Sequence, residues 1–385
     1  MRSVILITLS LFVSSLSWSA DRTAQDIIDQ REFKTPFYRL KSGAMSTVVI
    51  NMQYGESHVI SNSDRRALQT AKVGQIDLVF TDFPKGKDLR ELNLNRIRVL
   101  QSLRRSLVTD KKVRWRIIRQ TGCKNESEAK TMFHGIVVHY RPKQSKETTK
   151  EDLSYLDSYM PDVDPDDITE EHIVKLLDTT VVSVLNRNKD WKQMTIVSDL
   201  TGSMAPYTAQ LGLWFQLNIE NDRVKNVLFF NDGDMKPFNE KRIGQTGGIY
   251  SSEVKDYDQL RTLALKTVSN GNGGDWGEND CEALIEACNA FPNAEEIILI
   301  ADNIAPIKDI SLLHKINKPV RVILCGTNWG INTQYLNIAR ATGGSVHTMH
   351  RDLENLIEMS EGKTFKFQGR SYKIIDNEIV EITRV

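Results

Sequence analysis

Four short apolar runs in the second half of the chain, QMTIVSD, VKNVLFFND, EEIILIAD and VRVILCGT, constrain the fold more than any other feature. None of them alternates apolar with polar residues, so each reads as a strand buried on both faces. Helical patterns lie between and after them: AQLGLWFQLN, DYDQLRTLALKTVS, ENDCEALIEACNAF, DISLLHKIN and NTQYLNIARATG. Strands buried on both faces and alternating with helices belong to an open, mostly parallel sheet with helices on each side. An α/β, Rossmann-like fold is therefore expected from Trp191 onward, and RIGQTGGIYSS is a further candidate strand.

In such a sheet, ligands bind outside the carboxyl ends of the strands. Asp199, Thr201 and Ser203 stand there, in SDLTGSM, after one apolar strand and before a helix. Asp302 ends the strand EEIILIAD, and the glycine-rich SNGNGGDWGEN places Asp275 just ahead of another helix. Carboxylates and hydroxyls are hard oxygen donors. They suit Mg2+, with Mn2+ or Ca2+ as alternatives.

These residues carry a resemblance. The segment from about 191 to 358 is similar to a von Willebrand factor A (vWA) domain. DLTGSM resembles that family's Asp-x-Ser/Thr-x-Ser metal-ion-dependent adhesion site (MIDAS). GGDWGE resembles its Gly-Gly-Asp loop, LIAD the strand ending in the last ligand, and LNIARATGG its late helix and turn. The resemblance implies a metal-dependent binding module with Asp199, Thr201, Ser203, Asp275 and Asp302 around the ion. A coordination position would stay open for an acidic side chain of a protein partner. Asp275 stands where many members have threonine, and Thr246 is the alternative third-loop residue. A third carboxylate would weaken the attraction for an acidic partner.

Plainer readings compete. Asp199 alone would serve as a helix cap, and Asp232 and Asp234 in FFNDGD read as turn residues. A strand-end aspartate also opens haloacid-dehalogenase-type phosphatases, but the position of their second acid is Thr201. No Walker lysine follows GNGGDWGE, and no HExxH occurs. His347 and His350 in SVHTMHR would point to opposite faces of a strand. Cys281 and Cys288 lie too far apart on a helix for a disulfide. No enzyme is expected.

The first half alternates strands and helices over roughly 40–143, in the order β-α-β-α-β-β with a short extra helix. It resembles an OmpA-like peptidoglycan-binding domain. VFTDFPKG matches the strand ending in Thr-Asp, and LNLNRI the helix motif Leu-Ser-x-x-Arg-Ala, with Asn93 for Ser and Ile97 for Ala. That resemblance implies that Asp82 and Arg96 hold the amine and carboxylate of a peptide diamino acid.

MRSVILITLSLFVSSLSWSA has Arg2, an apolar run too short for a bilayer, and small residues at Ser17, Ser19 and Ala20, as in a cleavable export signal. The expected partition is signal peptide 1–20, OmpA-like domain 21–143, acidic linker and helix 144–190, vWA domain 191–358 and C-terminal β tail 359–385. Within the linker, Asp162, Asp164 and Asp166 do not fit a calcium loop, because Asp167 and Ile173 stand where glycine and a carboxylate are needed. Lys+Arg and Asp+Glu both total 50, which gives no electrostatic footprint for nucleic acid. No later run is apolar enough to span a membrane. The sequence thus points to an exported, periplasmic or extracellular metal-dependent protein-binding protein. The alternatives are a peptidoglycan-tethered envelope protein and, third, a phosphatase-like hydrolase.

Overall fold

The computed structural model describes residues 21–39, 46–62, 67–141, 145–160, 162–169, 178–271, 273–274, 276–327 and 330–382. The expected signal peptide and Asp275 lie outside them. The chain is a mixed α/β fold, and its two large sheets each combine parallel and antiparallel pairings.

The first sheet draws on β1 (Glu32–Thr35), β2 (Ser46–Met52), β3 (Val59–Asn62), β4 (Lys72–Thr81), β5 (Arg114–Gln120) and β6 (Gly135–Arg141). Their order across the sheet is β1-β5-β4-β6-β2-β3. Helices α1 (Ala24–Ile28), α2 (Ala67–Thr70), α3 (Arg90–Leu103), α4 (Ser106–Thr109) and α5 (Glu126–Thr131) accompany it. One face is apolar: Ile76, Leu78 and Phe80 of β4 pack with Ile97 and Leu100 of α3. Each such side chain contributes on the order of 1.5–3 kcal/mol when fully buried. The period of two puts the intervening residues on the other face. There Gln75, Asp77, Arg116 and His139 are polar and still buried.

Two elements depart from the sequence reading. The first helix of the expected β-α-β-α-β-β order falls on SNSDRRALQTAK. Its start is instead part of β3, where Val59, Ser61 and Asn62 pair antiparallel with β2. Among the described residues of this run, a helical turn, α2, follows. Strand β1 and helix α1 were not expected; both are too short for a periodic signal.

The second sheet has the order β13-β12-β11-β10-β7-β8-β9. Its strands are β7 (Met194–Asp199), β8 (Val224–Phe230), β9 (Ile249–Glu253), β10 (Ile297–Asp302), β11 (Val320–Cys325), β12 (Ser345–His347) and β13 (Asp352–Leu353). The run β12-β11-β10-β7-β8 is parallel, and the edge strands β13 and β9 are antiparallel. Helices α6 (Lys146–Tyr159), α7 (Thr180–Arg187), α8 (Ala205–Leu217), α9 (Tyr257–Ser269), α10 (Asp280–Ala290) and α11 (Thr333–Thr342) surround it. Helix α8 buries residues all round, including Ala209, Leu211, Trp214 and Phe215, as expected of a helix inside a core. The acidic connector carries α6, whose Leu156, with Met160 after it, enters this same core. Strands β14 (Thr364–Phe367), β15 (Arg370–Ile375) and β16 (Glu378–Glu381) form an antiparallel meander in the tail.

The first sheet meets the carboxyl end of the second. Trp276 lies against β4 at Gly74, beside a bulge between Val73 and Gln75, where any side chain would overlap the indole ring. Lys72 Nζ sits 3.6 Å from the centre of the Phe238 ring. Among the described residues, no helix is long and apolar enough to cross a membrane.

Candidate metal centre

Strands β7 and β10 are neighbours in parallel register, with Ile300 beside Ser198. Their terminal residues Asp199 and Asp302 therefore emerge at the same edge. After Asp199 the chain makes a tight turn into a 3-10 segment, Gly202–Met204, before α8 begins. The turn is held by the Asp199 carboxylate: Thr201 N donates to Oδ1 at 2.8 Å and Thr201 Oγ1 to Oδ2 at 3.1 Å. Ser203 Oγ reaches across to donate to Asp302 Oδ2 at 2.8 Å. Two carboxylates of adjacent strands are thus each bonded to a hydroxyl of the one turn. Asp275 lies outside the described residues.

The structure adds two acids to this edge. Asp232, just beyond β8, is fully buried, and its Oδ1 accepts from Asn279 N at 2.9 Å and Asn279 Nδ2 at 3.1 Å. Glu278, before α10, is also fully buried. No N–H or hydroxyl donor reaches Asp232 Oδ2 or Glu278 Oε2, and the two carboxyls hydrogen-bond to each other when Glu278 carries its proton. Buried carboxylate oxygens are costly unless a proton or cation satisfies them. Asp232 has a left-handed backbone with φ of 63°, so the expected turn role holds alongside its carboxylate's inward position. Thr246 is buried and bonds to Arg242 O and Asn279 Oδ1, one residue removed from Asp232.

The electrostatics follow from burial with too little positive charge. Burial and the neighbouring Asp232 push the Asp199 carboxyl up to about 8. Glu278 is raised well above the ordinary carboxylate range by burial and by the charges of Asp232 and Asp199. Asp280 is raised as well, by burial and by Asp309. Asp309 caps α10, accepting from Glu282 N at 2.7 Å and Cys281 N at 3.2 Å, and burial brings it to about 6.

Two cations of the other sheet feel these acids: Arg114 of β5, through Asp302, and Arg141. Arg141, the last residue of β6, donates from Nη2 to Glu278 Oε1 at 2.9 Å. Its Nη1 is buried without a partner. The acids around it raise its affinity for the proton against the opposing effect of burial: Glu278 first, then Asp232, Asp199 and Asp302. No sequence signal marked Arg141, which reads as the polar end of an ordinary strand. Glu278 was visible as the last residue of GGDWGE, but nothing there distinguished it from a helix-flanking acid.

Asp82 and Arg96 of the first sheet make separate local contacts. Asp82 pairs with Lys85 Nζ at 2.6 Å. Arg96 is fully buried and donates to Glu56 O at 2.9 Å and Gln53 O at 3.1 Å, while its Nη1 has no partner. Burial without a countercharge lowers it to about 10. The remaining candidates are structural. His347 bonds to Asp352 at 2.7 Å and Ser345 at 2.6 Å and packs edge-on to Trp191. All four cysteines are free thiols.

Among the described residues, no group of three or more His, Cys, Asp or Glu is arranged to hold a metal ion, so any cation here depends on the hydroxyls as well. Compared with protein-family models, with curated proteins and with solved structures, the chain gives no match.

Proposed function

We propose that the second sheet and its helices form a vWA-type, Rossmann-like module that binds proteins through a divalent cation. The observation that carries this reading is the pair of hydrogen bonds at one strand edge, Thr201 to Asp199 and Ser203, from the same turn, to Asp302 of the neighbouring strand. Asp232 and Glu278, buried beside them and sharing a hydrogen bond while Glu278 is protonated, would supply further negative charge once a cation displaced that proton. The donor set is all oxygen, which favours Mg2+ or Mn2+ over softer metals. Thr201 and Ser203 would hold the ion through their hydroxyls, and Asp199 and Asp302 directly or through water. When bound, the ion supplies an open coordination position for an acidic side chain of a partner.

Asp199 has a second task in this scheme. It orients the Thr201 hydroxyl and backbone N–H, so its loss removes charge and disorders the turn together. Calorimetry with Mg2+ and Mn2+ should show one site in the wild type and none in Asp199→Ala. Equal binding by the two proteins would overturn the reading.

Arg96 favours a companion role for the first sheet, as a peptidoglycan tether in an exported protein. Its Nη1 lacks a partner, so a carboxylate that displaced the chain covering this fully buried group would meet a free donor. Co-sedimentation with insoluble sacculi tests this. Wild type should pellet and a folded Arg96→Ala variant should not; a wild type that stays in solution removes the tether.

A further inference from the structure

Asp199, Asp232, Glu278 and Asp302 lie along the carboxyl edge of the second sheet, and Glu278 pairs with a cation from the first. Arg141 donates to Glu278, its second terminal nitrogen is buried without a partner, and the guanidinium also feels the charges of Asp232, Asp199 and Asp302. No N–H or hydroxyl reaches the second oxygens of Asp232 and Glu278, which meet only each other through the Glu278 proton. The guanidinium thus occupies part of a negative site without satisfying it.

We propose that Arg141 and a divalent cation compete for this shared set of carboxylates, so that loading the cation loosens the first sheet from the second. This rests on the cation-binding reading above. A guanidinium and a divalent ion within one buried cluster repel each other, and low local polarity makes the repulsion strong. Linkage then makes the effect reciprocal: whatever factor Arg141 removes from cation affinity, the cation removes from docking of the Arg141 strand.

The surrounding contacts fit a separable joint. Trp276 rests on a strand position with no side chain, and Lys72 meets Phe238 at the exposed rim. Neither contact interlocks the sheets by hydrogen bonds. The Arg141–Glu278 pair is the buried ionic link, with side-chain exposures of 12% and 0%. In this arrangement the first sheet acts as an internal ligand of the second, and its displacement uncovers the cation's open position for a partner.

Titration of the full chain with Mn2+ tests the competition. Arg141→Gln should bind Mn2+ on the order of tenfold more tightly than wild type, within the usual range of coupling between sites. Gly74→Ala changes no charge but forces Trp276 off β4, and should tighten Mn2+ binding in the same direction. Hydrogen exchange supplies a second readout: adding Mn2+ to wild type should speed exchange of the amides at the end of β6 and in 276–278. Unchanged or weaker Mn2+ binding by folded Arg141→Gln and Gly74→Ala proteins, or exchange unmoved by Mn2+, would overturn the proposal. If wild type binds, Asp199→Ala does not, and Arg141→Gln matches wild type, only the competition falls. If none of the proteins binds Mn2+, the cation reading itself falls.

Discussion

Asp77 and Asp199 are both fully buried strand residues with no access to solvent, yet their surroundings drive them in opposite directions. Asp77, on β4, accepts from Arg116 Nε at 2.6 Å and from Arg116 Nη2, His139 Nε2 and Tyr38 OH. Arg116 and His139 hold it well below the ordinary carboxylate range despite burial. Asp199, on β7, has a hydroxyl and an amide on its oxygens and two more acids nearby, and burial takes it up to about 8. A buried acid whose partners are complete is a structural part. One whose partners are short is held there by the rest of the fold at a cost in stability, a pattern found where function requires it.

The comparison breaks first at Asp77. Asp77→Ala leaves Arg116 and His139 buried beside a missing partner, and breaking a buried pair in this way costs about 3–5 kcal/mol. Asp199→Asn, without added cation, removes a carboxylate that repels its neighbours and should leave stability equal or higher. Urea unfolding of the two variants measures this directly. Equal losses in both would mean that the Asp199 cluster is as complete as the Asp77 network.

Proton linkage sharpens the contrast. Asp199 has a raised folded value, so the native state binds more protons than the unfolded chain between about pH 4, the ordinary carboxylate value, and about 8. Its contribution to stability is greatest at the acid end of that window and is lost as pH rises through it. The slope is at most about 1.4 kcal/mol per pH unit for one proton. Asp77 has the opposite sign. Its contribution is present above about pH 4 and is lost as pH falls toward its depressed folded value. Melting curves from pH 4 to 8 without added cation should therefore be flatter for Asp199→Asn than for wild type. A steeper curve for the variant would contradict the assignment.

Much of the second sheet was legible because its strands are apolar without alternation and end in donors. TIVSD-like patterns cannot satisfy a half-exposed strand, so β7, β8, β10 and β11 and the helices between them followed, along with the placement of Asp199, Thr201, Ser203 and Asp302 at one strand edge. The mixture of pairings was not legible: the antiparallel partners β9 and β13 lie at the edges, and β13 spans only Asp352–Leu353. Arg141 could not be foreseen because its role depends on one sheet docking against the other, which no local period encodes. Asp77 was hidden for the same reason. A polar residue in an apolar strand reads as the solvent side, and here that side is covered.

The smallest expected effect concerns the rim of the joint. Lys72 lies over the Phe238 ring at 3.6 Å, and Phe238 is largely exposed. Cation–π contacts at exposed sites contribute about 0.5–1 kcal/mol. Phe238→Leu keeps an apolar side chain but removes the ring's negative face, so urea unfolding should show a loss within that range. The two sheets would still be joined by Arg141 and Glu278, whose charges the substitution does not touch. Mn2+ affinity should therefore stay at the wild-type value, in contrast to the tightening expected for Arg141→Gln. A change in Mn2+ affinity in Phe238→Leu as large as in Arg141→Gln would show that this exposed rim contact, and not only the buried Arg141–Glu278 pair and the Trp276 seat on Gly74, keeps the joint closed.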